Sequence, residues 1–97
     1  MTENGSKLSS ELFEQIAKRV VADTLRNVYN IDVSYEELHF VWFAYVLKNM
    51  KCLIWGPKMN GMYAEVTYSA ANRVVYTDIY EKRIHRDSSY ADISGIV

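Results

Sequence analysis

His39-Phe40-Val41-Trp42-Phe43-Ala44-Tyr45-Val46-Leu47 carries no charge, no glycine and no proline. The stretch is dense in aromatic and β-branched residues, which suit a pleated, buried surface, so it reads as a strand. Side chains alternate along a strand. Phe40, Trp42, Ala44 and Val46 therefore point one way, and Val41, Phe43, Tyr45 and Leu47 the other. Both sets are apolar. A strand of this kind needs two covers; this chain can supply one, and a partner can supply the other.

Just upstream, Ser34-Tyr35-Glu36-Glu37 is a capping-box pattern, with Val33 and Leu38 placed as its hydrophobic staple. Alone, it opens a helix running through Trp42 and Tyr45. The poor helix formers of residues 40–47 oppose that, so the expectation is about one helical turn and then the strand. Further upstream, Ser9 is a suitable N-cap, Leu8 and Phe13 form a staple, and Glu11 lies in the first turn. Phe13, Ile16, Ala17, Val20, Thr24 and Val28 recur at three and four residues, and Leu12, Val21 and Leu25 widen the stripe. An amphipathic helix is expected over 8–30, ending near Asn30, which tolerates the left-handed cap conformation. Residues 1–7 read as a loose lead-in.

Downstream, Lys48-Asn49-Met50-Lys51 reads as a tight turn with Asn49-Met50 as its loop. Val46 then faces Leu53, and Ala44 faces Trp55. One face of the hairpin holds Val41, Phe43, Tyr45, Leu47, Cys52 and Ile54 without a charge, and is assigned to the core beneath the helix. The other holds Phe40, Trp42, Ala44, Val46, Leu53 and Trp55, edged by Lys48 and Lys51, and is assigned to a surface or an interface. Gly56 to Gly61 is a loop, since Gly-Pro and Asn-Gly interrupt pairing. Met62, Ala64, Val66 and Tyr68 alternate with Tyr63, Glu65 and Thr67, the pattern of a half-buried strand. After a hairpin loop at Ser69 to Arg73, a fourth strand begins at Val74 and runs into the charged Glu81-Lys82-Arg83-Ile84-His85-Arg86. Short links make neighbouring strands antiparallel. The expected fold is α+β: one domain over 1–97, an N-terminal helix packed on a four-stranded antiparallel β-meander over 38–86, with peripheral tails at 1–7 and 87–97.

Ninety-seven residues, 49% hydrophobic and 24% charged, suit one globular domain. A net charge of −1 argues against bulk attraction to nucleic acid or an anionic membrane. Cys52 is the lone cysteine, which excludes an internal disulfide and a thiolate metal cluster and fits a reducing compartment. No signal-peptide pattern and no membrane-length apolar run is present, so a cytoplasmic protein is expected. Eight tyrosines are the compositional oddity, and tyrosine is enriched at interfaces.

Val41-Trp42-Phe43, Lys51-Cys52-Leu53, the run Gly61 to Tyr68 and the run Val75 to Lys82 carry a resemblance in order and spacing. Over residues 38–86 the chain resembles an uncharacterised family of small proteins encoded by phages and prophages of Gram-positive bacteria. The Gly56-Pro57 loop and the residues after Arg86 depart from that pattern. The resemblance implies a small phage accessory protein acting in the host cytoplasm. It implies no activity and no functional residues.

Phe40, Trp42 and Trp55, with Leu53 and Lys51, form the candidate partner-binding patch, since aromatic anchors carry much interface energy. The competing reading is that the tail after Arg86 folds over them. The expected partner is a host or defence protein, or a second copy in a homodimer. Glu65 and Asp78 would form an acid–base or cation-binding pair only if the hairpin register aligns them, and more commonly such residues are solvated charges. His39 and His85 lack the companions a metal site needs, and Cys52 reads as a buried thiol rather than a nucleophile. Lys48, Lys51, Lys58 and Arg73 could join the aromatics in a nucleic-acid platform, and residues 82–86 form a denser basic run. On a net-acidic chain this remains the weaker alternative. No catalytic set and no cofactor motif is evident, so a non-catalytic role is expected.

Overall fold

The computed structural model describes residues 9–83 together with Ser89 and Gly95. Its elements are helix α1 (Ser10–Tyr29), a 3-10 turn (Tyr35–Glu37), strand β1 (His39–Val46), β2 (Asn49–Trp55), a second 3-10 turn (Pro57–Met59), β3 (Met62–Ser69) and β4 (Val74–Glu81). The strands form one antiparallel sheet in the order β1-β2-β3-β4. The α+β meander expected from the sequence is the observed fold. Leu8, His85 and most of 87–97 lie outside the described residues.

Helix α1 begins where Ser9 caps it: the Leu12 N–H donates to the Ser9 hydroxyl at 3.1 Å. It ends at Asn30, in the left-handed region at φ 56°, where the Ile31 N–H reaches back to the Leu25 carbonyl at 2.9 Å. Its buried row is Phe13, Ala17, Val21 and Leu25, spaced every four residues. Ile16, Val20 and Thr24 flank that row half-buried, and Val28 and Leu12 are exposed. The stripe is thus centred one row away from the expected one. The Ser34 capping box also forms: the Ser34 N–H donates to Glu37 Oε1 at 2.8 Å, and one 3-10 turn precedes the strand.

The helix packs on the two middle strands, β2 and β3. There it seals Met50, Cys52, Ile54, Ala64 and Val66, joined by Leu38 and Met59. An α-helix is about 10–12 Å across, whereas four strands about 4.8 Å apart span roughly 14 Å between their outer axes. The edge strands therefore extend past the cover. This overturns part of the assignment of Val41, Phe43, Tyr45 and Leu47 to the core. Phe43 only reaches the helix margin, against Phe13 at 5.6 Å edge-to-face, and the other three are exposed.

Two further expectations fail in β1. The hairpin loop is Leu47-Lys48, both at positive φ (50° and 70°), not Asn49-Met50. Val46 faces Asn49, Ala44 faces Lys51 and Trp42 faces Leu53. The shift buries Met50 and lets Asn49 Oδ1 accept the Ala70 N–H of the neighbouring hairpin at 3.0 Å. Burying Met50 contributes about 2 kcal/mol, which offsets much of the roughly 1–2 kcal/mol per residue of left-handed backbone at Leu47 and Lys48. Second, pairing shifts between Phe40 and Trp42, leaving Val41 as a β-bulge. The bulge turns Phe40 to the helix side, opposite Ile54, while Trp42 stays on the outer side.

The loop after β2 is tied down from two sides. Lys58 Nζ reaches Glu37 Oε2 at 3.2 Å and donates to the Asp32 carbonyl at 3.1 Å. A Cβ on Gly56 would lie 2.6 Å from the Glu37 carbonyl oxygen, so only glycine fits that close approach.

Candidate functional site

Alternation places Trp42, Ala44 and Val46 of β1, Lys51, Leu53 and Trp55 of β2, Tyr63, Glu65 and Thr67 of β3, and Tyr76, Asp78 and Tyr80 of β4 on the face away from the helix. Nothing among the described residues covers it. Of the residues expected in the patch, Trp42 and Leu53 are directly opposite each other, Lys51 lies beside Ala44, and Trp55 stands at the end of β2 opposite His39. Trp42 is 41% and Trp55 45% exposed. Phe40 is not part of this face. The bulge sends it to the helix side, near Phe43 at 6.4 Å and under Lys18, whose Nζ is 5.3 Å from its ring centre.

Sequence reasoning missed the tyrosine half of the face. Tyr63 and Tyr80 pair across β3 and β4 with rings stacked at 5.2 Å and 19°, and Tyr76 lies further along β4, opposite Thr67. The alternation of β3 already pointed Tyr63 outward. The parity of β4 depends on a register that its loop leaves open by one residue, so the stack was not readable in advance.

Charge on this face is sparse and largely internal. Lys51 Nζ is 3.6 Å from Glu65 Oε1, and the Tyr80 hydroxyl donates to the same oxygen at 3.4 Å. The Glu65 carboxylate, chiefly, raises the Tyr80 phenol above its ordinary value. Glu65 and Asp78 do sit directly opposite each other. Glu65 is engaged by Lys51 and Tyr80, the arrangement of a surface ion pair.

The other candidates disperse. Cys52 is fully buried beneath the helix, and burial pushes its thiol up to about 12, the opposite of nucleophile activation. His39 is exposed at the start of β1. No group of three or more His, Cys, Asp or Glu among the described residues could hold a metal ion. Lys48 and Arg73 occupy the hairpin loops at one end of the sheet, Lys58 the loop at the other end, and Lys51 is paired on the face, so the four cations do not converge. An open depression beside α1, lined by Gln15, Arg19, Ala22, Asp23 and Tyr35, brings together no buried polar group.

Residues 12–90 match the model of DUF6275, a family of unknown function. The chain belongs to the DUF6275 family. The match takes in α1 from Leu12 onward, the whole sheet and both tryptophans of the outer face. No curated protein and no solved structure matches the chain. No helix among the described residues is long and apolar enough to cross a membrane.

Proposed function

We propose that the protein is a non-catalytic binding protein, a phage accessory factor that docks a host or defence protein on the outer face of its sheet. The observation that carries the reading is the group of part-exposed aromatics Trp42, Trp55, Tyr63, Tyr76 and Tyr80, spread over all four strands around a single Lys51–Glu65 pair. Rigid aromatic side chains on a stiff sheet lose little conformational freedom on binding, and such residues dominate interface energetics. An apolar patch of this kind, with no cover among the described residues, is a mark of an interaction surface. The phage setting rests on the resemblance of residues 38–86, and a buried, unpaired Cys52 suits a reducing cytoplasm.

The test is affinity capture from a host lysate, followed by purification of the captured protein and direct titration. The double variant Trp42→Ala plus Trp55→Ala should weaken binding at least about tenfold, as expected for removing two aromatic anchors. Equal affinity for wild type and the double variant would overturn the proposal.

A further inference from the structure

We infer that the open edge of β1 is a self-association site, at which a second copy of this chain adds its own β1 antiparallel to make one continuous eight-stranded sheet. The inference is independent of what occupies the outer face.

The sheet has two edges, and they differ. β4 carries Asp78 and Glu81 and runs into Lys82 and Arg83, the kind of charge that discourages edge pairing. β1 carries no charge between Phe40 and Leu47, and no proline. It exposes apolar side chains on both sides: Tyr45 at 57% toward the helix side and Val46 at 60% toward the outer side. Its one irregularity, the bulge at Val41, lies before residues 42–46 and leaves them regular. Among the described residues, no strand pairs with its outer edge.

The backbone specifies the register. In a hairpin with a two-residue loop, the residues flanking the loop exchange both backbone hydrogen bonds, and bonded and non-bonded pairs then alternate. Val46, Ala44 and Trp42 therefore bond inward to β2, while Phe43 and Tyr45 direct their N–H and C=O groups to the open edge. A two-fold axis at Ala44 pairs Phe43 with Tyr45 of the second copy, so the outward groups meet outward groups. The same axis sets Trp42 against Val46 of the second copy, a large side chain beside a smaller one, and puts Ala44 against its own copy. No like charges are forced together. The nearest outer-face cations, Lys51 and its copy, would be about three strand spacings or roughly 14 Å apart, beyond the Debye length of about 8 Å at physiological salt. Each is already paired with Glu65. An isologous contact of this kind closes on itself as a dimer.

Sedimentation equilibrium of the full chain tests the inference. Wild type should be a dimer at micromolar concentration. Ala44→Lys and Ala44→Glu each place like charges directly across the axis, so each alone should be monomeric with native circular dichroism. An equimolar mixture of the two should regain a dimer. Ala44→Cys, a near-neutral change in size, should form a disulfide-linked dimer on oxidation, because a non-bonded antiparallel pair brings Cα atoms to about 4.5 Å. A monomeric wild type overturns the inference, as does a dimer that neither charged variant disrupts or one that Ala44→Cys does not cross-link. Dimerisation lost in Trp55→Ala but kept in both charged variants would assign the contact to the outer face. Dimerisation that appears only after removal of residues 84–97 would assign the β1 edge to the chain's own C-terminal residues. Either result also overturns the inference.

Discussion

β1 and β2 are neighbours in one hairpin and similarly apolar in sequence, yet their fates differ. β2 sends Met50, Cys52 and Ile54 into the sealed core, whereas no residue of β1 is fully buried. The difference lies in position within the layers. One helix can roof two strands, and β2 is under it while β1 is beside it. Hydrophobicity alone does not place a strand at the centre; on an edge it remains available for other contacts.

The largest expected effect sets the two strands against each other directly. Ile54→Ala should lower the unfolding free energy by about 3 kcal/mol, within the range for burying a cavity in a packed core. Tyr45→Ala should change that of the monomer by less than about 1 kcal/mol, as surface substitutions do. Comparable losses in chemical denaturation would break the comparison. Gly56→Ala probes the exit of β2 and should destabilise by about 1–3 kcal/mol, since a methyl group would be forced against the Glu37 backbone.

Cys52 sharpens the contrast chemically. With its thiol held up near 12 by burial, stability should be undiminished below the ordinary thiol value of 9.0 and fall as pH rises from there toward 12, because only the unfolded chain releases the proton readily. Cys52→Ala should show a smaller alkaline decline, since the raised Tyr80 phenol still contributes one. A maleimide should leave native Cys52 unlabelled at neutral pH but label a Tyr45→Cys variant at once. Smaller still, Leu47→Asn with Lys48→Gly should raise the unfolding free energy by about 1 kcal/mol, read as a higher denaturation midpoint, because these residues tolerate the positive φ of the loop. The smallest effect is acidic. The Ser34 N–H, then Lys58, holds the Glu37 carboxyl below its usual range, and Arg26 does the same for Asp32. Their slight stabilisation should be present above the ordinary carboxylate range and fade as pH falls through the lowered values, a decline that Glu37→Gln should reduce.

The elements were readable because their signals are local. Ser9 and Asn30 bracket α1, and Met62 to Tyr68 alternates so cleanly that its buried side needed no partner to identify. What was not readable depends on contacts distant in sequence. Asn49-Met50 is the better loop by local preference, but Met50 is needed in the core and Asn49 is needed by Ala70. The outer face was half legible: Trp42, Leu53 and Trp55 share it because the loop moved by an even step, which preserves parity. Phe40 does not, because one unpaired residue intervenes. The Tyr63–Tyr80 stack exists only through a cross-strand register that no local pattern encodes.

That unpaired residue, Val41, acts as a phase shifter. It lets a single uncharged strand insert one aromatic ring beneath the helix and present the next on the opposite side, within three consecutive residues. If Val41 were paired in register, opposite Ile54, strict alternation would return and put Phe40 and Trp42 on one side, so either the floor under Lys18 or the tryptophan of the outer surface would be lost. The single extra residue is what allows one segment to serve two neighbours at once.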